Sequence, residues 1–282
     1  HYRRLDEVLR KHLGAFRSKL RDSYCHTVKH DIELKEGSVL RKDAPHLRRS
    51  EADEAEYRAY AMKELAEHLA FHADDDVETA CNMMLIAKRD EAGNVLPEKR
   101  AIKDYRHLNS KTKDNANPLP DALRNLSRIR GKVFAVIDLL AGFSQIELTP
   151  RAKRLTGYYS PLGILCMHRM PFGLKNAPAT FCRVVARVLE GVNNCLPYVD
   201  DLLLQADTID ELFDLLDTVL GRLNGAGLKV KPSKMWLGFP CLAYLGYTVS
   251  AEGHKPNPDR AKAVLGWTLE RLIESLKTTI PS

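Results

Sequence analysis

The chain has 282 residues, of which 44% are hydrophobic and 28% are charged. This balance is close to that of an average soluble globular protein, and it excludes a chain that is disordered throughout. No stretch approaches the roughly 18 successive apolar residues of a membrane span, and no apolar signal segment opens the chain. We therefore expect neither membrane insertion nor secretion. Six cysteines lie far apart without a C-x-x-C pair, which favours free thiols in a reducing, intracellular setting.

The net charge of +6 is unevenly placed along the chain. Residues 86–132 carry 12 Lys and Arg against 6 Asp and Glu, so this stretch holds the whole excess. A local basic region on an otherwise neutral protein suits a partner that is rich in phosphate. A solvated surface with surplus lysines explains the same count equally well.

The spacing of apolar residues predicts two helices in the first part of the chain. The first runs over the helically spaced apolar residues from Leu5 to Leu20. The second covers about residues 51–69, with Ser50 as its N-cap and Met62 on its apolar face.

The rest of the chain alternates between short apolar runs and longer helical patterns. Strands are predicted at residues 83–87, 100–105, 133–137, 196–204, 234–237 and 242–249, the fourth of these being two strands around a turn. One helix is predicted after Asn176, and another begins with the capping box of Thr208 and Glu211. This order predicts an α+β fold in which helices cover one face of an antiparallel sheet.

Three acidic residues stand out because they adjoin the most apolar strands. Asp138 ends the run at 133–137, and Asp200 and Asp201 lie at the tip of the later hairpin. Carboxylates in such surroundings are costly unless a cation or a hydrogen bond compensates them. Divalent cations held by several carboxylates would do so, and they support phosphoryl displacement. A polar turn and a strand terminator explain the residues as well, and spacing alone does not decide between these readings.

Five segments of the chain resemble the motifs of reverse transcriptases and follow one another in the expected order. They are residues 103–109 (K-D-Y-R-H-L-N), 134–146, 170–181, 196–201 (L-P-Y-V-D-D) and 244–247 (Y-L-G-Y). The third segment contains P-F-G-L-x-N-A-P, which resembles gypsy-type LTR retrotransposons more than retroviruses. The resemblance extends from about residue 30 to residue 267.

The resemblance implies a right-hand polymerase with fingers, palm and a truncated thumb. The implied division is an N-terminal helix and extension at 1–50, fingers at 51–130 and 150–171, palm at 131–149 and 172–250, and the start of a thumb at 251–282. It implies an RNA-directed DNA polymerase, a nucleotidyltransferase that extends a primer on an RNA or DNA template. Implied partners are primer–template, dNTPs and other domains of a Pol polyprotein. Intracellular localisation is expected, with cytoplasm (in a virus-like particle) and nucleus left open.

The same resemblance assigns roles to individual residues. Asp138, Asp200 and Asp201, with the backbone carbonyl of Leu139, would hold two Mg²⁺ ions, for which Mn²⁺ could substitute. Lys234 matches a lysine that protonates the leaving pyrophosphate, although a surface lysine before a strand is an equally good reading.

Further residues match binding positions of the family. Lys88 and Arg100 match positions that grip the triphosphate, and Phe143 matches the aromatic residue that excludes a ribose hydroxyl. Phe172 and Gly173 would lie beneath the incoming base and template. Tyr198, Leu245 and Gly246 would place the primer.

Three other interpretations are a zinc site, a nucleic-acid-binding chain without catalytic activity, and a phosphohydrolase. His68 and His72, like His26 and His30, have i, i+4 spacing, but zinc needs further ligands. A catalytically silent nucleic-acid-binding remnant, or a domesticated fragment, would keep the basic surface without activity. A generic Mg²⁺-dependent phosphohydrolase would make no use of Phe143.

Overall fold

The computed structural model describes residues 1–17, 20, 23–41, 50–89, 94–115 and 120–257. Within these ranges the helices are α1 (Tyr2–Lys11), α2 (Glu51–Ala66), α3 (Arg106–Lys111), α4 (Ala122–Leu126), α5 (Pro150–Arg154), α6 (Ala177–Val188) and α7 (Ile209–Gly225). The strands are β1 (Lys29–His30), β2 (Ala70–His72), β3 (Ala80–Arg89), β4 (Val95–Lys103), β5 (Val133–Asp138), β6 (Glu147–Leu148), β7 (Gly157–Ser160), β8 (Gly163–Met167), β9 (Cys195–Tyr198), β10 (Asp201–Ala206), β11 (Trp236–Phe239), β12 (Cys241–Tyr244), β13 (Tyr247–Ser250) and β14 (Gly253–Pro256). Most of the predicted thumb segment, from residue 258 onward, lies outside the described residues.

The apolar run that ends at Asp138 forms an inner strand of a four-stranded antiparallel sheet, in the order β11-β5-β10-β9. We call it the central sheet. Because successive side chains of a strand point to opposite faces, Ala135 and Ile137 pack on one side, and Phe134 and Val136 pack on the other. Both faces of β5 are therefore buried, which explains its continuous apolar sequence.

Helices α6 and α7 cover the first of these faces. Phe181 of α6 and Leu216 of α7 share one apolar core with Ile137. The predicted capping box starts α7, since the Thr208 hydroxyl accepts from the Glu211 N–H at 3.3 Å and the Glu211 carboxylate reaches back to the Thr208 N–H. The predicted α+β arrangement of the central sheet is confirmed.

The opposite face of the central sheet carries a three-stranded sheet, in the order β12-β13-β14, together with α4. Tyr244 and Val249 of this sheet pack against Phe134 and Leu196. The Tyr244 hydroxyl also donates to the Leu196 carbonyl at 2.9 Å. These contacts hold this three-stranded sheet, which we call the small sheet, beside the β9–β10 hairpin.

A five-stranded sheet, in the order β2-β8-β7-β3-β4, forms the outer part of the molecule. We call it the outer sheet. Glu64 of α2 and Lys103 of β4 form an ion pair on it, with only 6% and 5% of each residue exposed. The Tyr158 hydroxyl of β7 donates to the same carboxylate at 2.7 Å, and the Lys103 ammonium lies 4.8 Å from the centre of the Tyr158 ring. This buried polar cluster holds α2 on the sheet.

The first predicted helix is shorter than its apolar spacing suggests. Helix α1 ends at Lys11, although the helical spacing of apolar residues continues to Leu20. Phe16 forms a parallel bridge with Val230 instead of continuing the helix. Leu13–Ala15 form a short 3₁₀ turn, so the apolar spacing there does not continue the helix.

The second predicted helix is confirmed, although Met62 does not lie on its buried face. The Ser50 hydroxyl accepts from the Asp53 N–H at 3.1 Å and caps α2 as expected. Met62, however, is 57% exposed, because α2 turns Ala61 and Glu64 inward. Glu64 can occupy a buried position on α2 because its ion pair with Lys103 neutralises its charge.

Two predictions from composition can be compared with the structure. All six cysteines lie in the described ranges and are free thiols, as predicted. None of the helices in those ranges combines the length and the apolar character needed to cross a bilayer.

Candidate active site

Asp138 and Asp201 lie directly opposite each other on neighbouring strands of the central sheet. The Leu139 N–H donates to the Asp200 carbonyl at 2.9 Å, which makes Asp138 and Asp201 a non-hydrogen-bonded pair. Side chains of such a pair lie on the same face and closer together than in the alternative register. The Asp138 and Asp201 carboxylates therefore project side by side from the end of the sheet, and Asp200 occupies the adjoining turn.

The electrostatics of these carboxylates are unfavourable without a cation. Burial raises the pKa of Asp201 to about 6, and the nearby charges of Asp200 and Asp138 add to this rise. Burial also raises the pKa of Asp200, with a further contribution from Asp138. Like charges on facing positions repel each other, so this end of the sheet is a place where bound positive charge is favourable.

Lys234 supplies one such positive charge. Its ammonium lies 2.7 Å from Oδ2 of Asp138, whose side chain is only 11% exposed. This hydrogen bond raises the pKa of Lys234, which therefore stays protonated. The Lys231 N–H donates to the Asp138 carbonyl at 3.0 Å and so fixes the segment that carries Lys234.

The carboxylate oxygens of Asp138, Asp200 and Asp201 are ligands of the kind that a hard divalent cation prefers. Among the described residues, no three Asp, Glu, His or Cys side chains converge as they stand into a group that could hold a metal ion. The chemistry of the site still fits such an ion, because Asp138, Asp200 and Asp201 offer carboxylate oxygens whose mutual repulsion it would relieve. Leu139 follows Asp138 directly, and its side chain is buried, so only its backbone can serve at the site.

The histidine pairs form no metal cluster in the described part of the chain. Helix α2 ends at Ala66, so His68 and His72 do not share a helical face. His30 instead pairs with the Thr180 hydroxyl at 2.9 Å.

The turn that carries Asp200 has an unusual backbone. β9 ends at Tyr198 and β10 begins at Asp201, which leaves only Val199 and Asp200 between the paired strands. Val199 has a φ of +54°, a value that glycine adopts easily and that a β-branched residue adopts rarely. Tyr198 packs into the apolar cluster between the central sheet and the small sheet.

Aromatic rings form a surface beside the carboxylates. Phe143 lies in the 3₁₀ turn that follows β5, with its ring centre 5.1 Å from that of Phe172 and 5.7 Å from that of Phe181. Phe172 is 52% exposed, whereas Phe181 is fully buried behind Phe143. The exposed faces of Phe143 and Phe172 are therefore available to a planar or ring-shaped ligand.

Gly173 continues this surface and is held by a residue distant in sequence. Its φ of +94° favours glycine. The Asn109 amide donates to the Gly173 carbonyl at 2.8 Å and accepts from the Lys175 N–H at 2.8 Å. Asn109 thus clamps the loop after Phe172, a role that its place in the 103–109 motif did not reveal.

Leu245 and Gly246 form the two-residue turn between β12 and β13. Their φ values of +50° and +83° are those of a tight hairpin turn. Leu245 packs at the edge of the same apolar cluster as Tyr198. The structure therefore joins this hairpin and the Tyr198 hairpin through one layer of side chains.

A family model described as "Reverse transcriptase (RNA-dependent DNA polymerase)" matches residues 86–249, which is more than half of the chain. The chain belongs to the reverse transcriptase family. The match includes the carboxylates and the aromatic surface.

Relatives of this chain include Pol polyproteins of transposons in Drosophila melanogaster. The chain is 32% identical to that of transposon 297 over 225 residues, which are 73% of this chain and 21% of the polyprotein. It is 34% identical to that of transposon gypsy over 178 residues, or 62% of this chain and 17% of the polyprotein. The chain thus spans about a fifth of the length of these relatives, and the expected likeness to gypsy-type LTR retrotransposons is confirmed.

Solved structures of similar shape are foamy viral protease–reverse transcriptases. One, in complex with an RNA/DNA hybrid, has a TM-score of 0.83 at 20% identity and covers 98% of this chain and 37% of that chain. Another, in complex with dsDNA, has a TM-score of 0.81 at 20% identity and covers 98% of this chain and 57% of that chain. The fold of this chain is therefore that of a right-hand polymerase with fingers and palm.

The two cations expected to grip a triphosphate lie on paired strands of the outer sheet. Lys88 belongs to β3 and Arg100 to β4, where Arg100 is the partner of Ile86. The side chains of Lys88 and Arg100 lie outside the described part of the structure. Their assignment stays a prediction.

Gln145 is a buried polar residue that connects two segments of the site and that the sequence did not single out. Its fully buried amide donates to the carbonyls of Leu140 and Lys229 at 2.8 and 3.0 Å. The Lys229 N–H donates back to it at 2.6 Å. Gln145 therefore ties the loop after β5 to the segment that leads to Lys234. The only sequence signal that could have identified Gln145 was the presence of a polar residue beside apolar ones in this motif.

Proposed function

We propose that the chain is an RNA-directed DNA polymerase that adds deoxynucleotides to a primer on an RNA or DNA template. The observation that carries this proposal is the facing pair of Asp138 and Asp201, with Asp200 in the adjoining turn, in a member of the reverse transcriptase family. The central sheet would be the palm and the outer sheet the fingers, divided as the motifs predict.

Asp138, Asp200 and Asp201, with the Leu139 carbonyl, would hold Mg²⁺, or Mn²⁺ in its place. The ions, when bound, lower the pKa of the primer 3′-hydroxyl and neutralise charge on the leaving pyrophosphate. The protein's part is to hold the carboxylates on two paired strands, so that the distance between ligands is set by the register of the sheet.

Lys234 would act on the side of the leaving group. It is protonated, 56% of its side chain is exposed, and it already lies at Asp138. Its ammonium can neutralise Asp138 before substrate binds and can then donate a proton to the departing pyrophosphate.

The aromatic surface would receive the nucleotide. Phe143 would lie against the sugar, where a ribose hydroxyl would collide with its ring, and Phe172 and Gly173 would support the base and template. Lys88 and Arg100 would bind the triphosphate.

The primer end would rest between the two hairpins that share one apolar layer. Tyr198 belongs to the first of these, and Leu245 and Gly246 belong to the second. The partners of the chain would be primer–template, dNTPs and further domains of a Pol polyprotein, consistent with the hybrid and duplex bound by the foamy viral enzymes of similar fold.

Primer extension tests this function. The wild-type chain, labelled dNTPs and Mg²⁺ are incubated with a DNA primer on an RNA template, beside Asp200→Asn. The matched control is Asp207→Asn, which removes an exposed carboxylate just after β10. We expect extension by the wild type and the control, and a loss of at least about 10³-fold in Asp200→Asn. If neither the wild type nor any variant extends the primer while all bind it, the chain is a nucleic-acid-binding remnant.

A further inference from the structure

The side chain of Gln145 binds two stretches of backbone that adjoin the candidate active site. Its fully buried amide donates to the Leu140 carbonyl at 2.8 Å and to the Lys229 carbonyl at 3.0 Å, and it accepts from the Lys229 N–H at 2.6 Å. An amide has two donor hydrogens and an oxygen with two acceptor positions. Gln145 therefore spends nearly all of its hydrogen-bonding capacity on main chain, one part of which lies 84 residues away.

The two stretches run antiparallel through a single bridge, between Leu139 and Val230. One backbone hydrogen bond lies on each side of this bridge, at 2.9 and 3.0 Å, and the longer one ends at the Asp138 carbonyl. The two bonds between Gln145 and Lys229 double the hydrogen bonding that joins the stretches. Gln145 therefore reinforces a contact that is otherwise short.

The backbone of Lys229 needs this support because it is away from solvent. Lys229 is only 9% exposed, and the acceptor of its N–H within the described residues is the Gln145 amide. A buried N–H that loses its acceptor bears the full cost of its desolvation. Without the amide, Lys229 is therefore driven to move until its N–H finds another acceptor or water.

Lys234 follows Lys229 closely and depends on it for its position. The 3₁₀ turn Pro232–Lys234 begins just after this stretch, and the Lys234 N–H donates to the Lys231 carbonyl at 3.1 Å. The Lys234 ammonium lies 2.7 Å from Oδ2 of Asp138, although 56% of the lysine side chain is exposed. A displacement of the backbone before the turn therefore moves the ammonium relative to Asp138.

Gln145 is itself a fixed point of the molecule. It ends the 3₁₀ turn after β5, and its carbonyl accepts from the Cys25 N–H at 2.8 Å. The next residue, Ile146, is fully buried, and its carbonyl accepts from the Met170 N–H at 2.8 Å. The amide of Gln145 can therefore hold Lys229 in place instead of moving with it.

We propose that Gln145 is a positioning residue that holds Lys234 beside Asp138 for the polymerase reaction. It acts through the backbone of Lys229 and does not touch the substrate. This inference rests on the proposed function for its effect on rate, whereas the link between Gln145 and the backbone can be tested without it. A displacement of about 1 Å at a reacting centre can lower a rate by up to about 10²-fold.

The first test compares Gln145→Met with Gln205→Met. Methionine keeps the unbranched shape but cannot replace the hydrogen bonds. Gln205 is a matched control, because it is 4% exposed and makes three bonds of 2.7–3.0 Å to backbone, at the end of β10 remote from Asp201. We expect kcat for primer extension to fall about tenfold in Gln145→Met with unchanged KM for dNTP. Gln205→Met should keep kcat within about twofold of the wild type.

The second test asks whether the effect passes through Lys234. In a Lys234→Met background, Gln145→Met should lower kcat less than about twofold, because there is no ammonium left to place. A tenfold loss that persists undiminished in this background would overturn the inference. So would equal kcat in wild type and Gln145→Met, or equal losses in Gln145→Met and Gln205→Met.

A shorter amide provides a second variant in case Gln145→Met does not fold. Gln145→Asn remains polar but is one methylene shorter, so it cannot keep its bonds to Leu140 and Lys229 together. We expect kcat to fall at least about threefold, again only where Lys234 is present. Wild-type kcat in Gln145→Asn would contradict the inference.

A third measurement separates failure of this inference from failure of the proposed function. The Lys231 N–H donates to the Asp138 carbonyl, and its hydrogen exchange should be at least about fivefold faster in Gln145→Met than in wild type or Gln205→Met. Unchanged exchange would overturn the inference whatever the polymerase assay gives. Faster exchange in a chain whose wild type extends no primer would refute the proposed function and leave the link from Gln145 to this backbone intact.

Discussion

Phe143 shows how a single side chain at the site is placed by its neighbours. Phe181 supports it edge-on from the buried side, and Phe172 flanks it on the exposed side. Gly142, the residue before it, is too close to Phe181 to carry a Cβ. The ring of Phe143 therefore has little freedom to move away from a ligand, and a fixed ring is what exclusion of one extra hydroxyl requires.

Replacing Phe143 with Ala should relax the choice between deoxynucleotides and ribonucleotides. Removal of the ring opens the space that a 2′-hydroxyl needs, so the ratio of kcat/KM for dNTP over rNTP should fall about 10- to 100-fold. Single-nucleotide incorporation with matched dNTP and rNTP measures this ratio. Phe143→Tyr keeps the ring and should keep the discrimination, and an unchanged ratio in Phe143→Ala would refute the assigned role.

Residues of the site differ in how far the sequence reveals them. Asp138, Asp200 and Asp201 drew notice because each adjoins an apolar strand, but only the resemblance to reverse transcriptase motifs favoured a cation site over a polar turn. The role of Asn109 could not be predicted, since its partner Gly173 lies 64 residues away and meets it only in the folded chain. The contact between Lys234 and Asp138 likewise depends on sheet pairing and not on local sequence.

At the scale of elements, the outer sheet depends on a charged contact inside its core. Glu64 and Lys103 are both almost fully buried, and Tyr158 completes the hydrogen bonding of the carboxylate. A buried ion pair adds little stability by itself, but removal of one partner leaves an uncompensated charge. Helix α2 and strand β4 are therefore held together by a contact that is lost when either Glu64 or Lys103 alone is replaced by an uncharged residue.

Lys103→Met should lower the free energy of unfolding by about 3–5 kcal/mol, because it leaves Glu64 buried without its counter-ion. Urea unfolding followed by circular dichroism measures the change. Lys99→Met is the control, since the Lys99–Glu56 pair lies at the surface and should contribute little. In the double variant Glu64→Leu/Lys103→Met most of the lost stability should return; a double variant as unstable as the single one would contradict this explanation.

The elements themselves were predictable to the extent that one local signal dominated them. The continuous apolar run of β5 and the capping box of α7 gave correct elements because neither depends on distant partners. Helix α1 was predicted too long, and Met62 was wrongly placed on the buried face of α2, since bridging of Phe16 to Val230 and the burial of Glu64 both depend on tertiary contacts. Periodicity locates an apolar pattern, but it does not say which neighbour covers that pattern.

At the scale of the whole molecule, the segment from Ser23 to Lys35 connects parts that are distant in sequence. The Cys25 N–H donates to the Gln145 carbonyl, and the Thr149 N–H donates to the His30 carbonyl. The His30 ring pairs with the hydroxyl of Thr180 on α6. This segment therefore contacts both α6 and the loop after β5.

His30 makes the stability of the molecule depend on pH. Burial lowers its pKa to about 4, opposed by the charge of Asp31 and assisted by that of Arg183. The unfolded chain binds the proton near pH 6.5 and the folded chain does not, so the free energy of unfolding should fall as pH drops from about 6.5 to about 4. The whole loss attributable to His30 is of the order of 3 kcal/mol.

Urea unfolding at a series of pH values measures this effect against His30→Gln, which cannot titrate. The difference in unfolding free energy between wild type and His30→Gln should shrink as pH falls below about 6.5. His254→Gln, a change at an exposed histidine, should follow the wild type at every pH. Parallel curves for wild type and His30→Gln would show that the buried ring does not titrate as described.

Incorporation of a single nucleotide opposite a defined RNA base is the most direct test of the central claim. The assay supplies the wild-type chain or Asp138→Asn with primer–template, one dNTP at a time, and Mg²⁺ titrated from zero. We expect the wild type to add only the complementary nucleotide, only with Mg²⁺, and at least about 10³-fold faster than Asp138→Asn. Addition at equal rates by wild type and Asp138→Asn, or addition that ignores the template base, would contradict the assignment of Asp138, Asp200 and Asp201 as the centre of a template-directed polymerase.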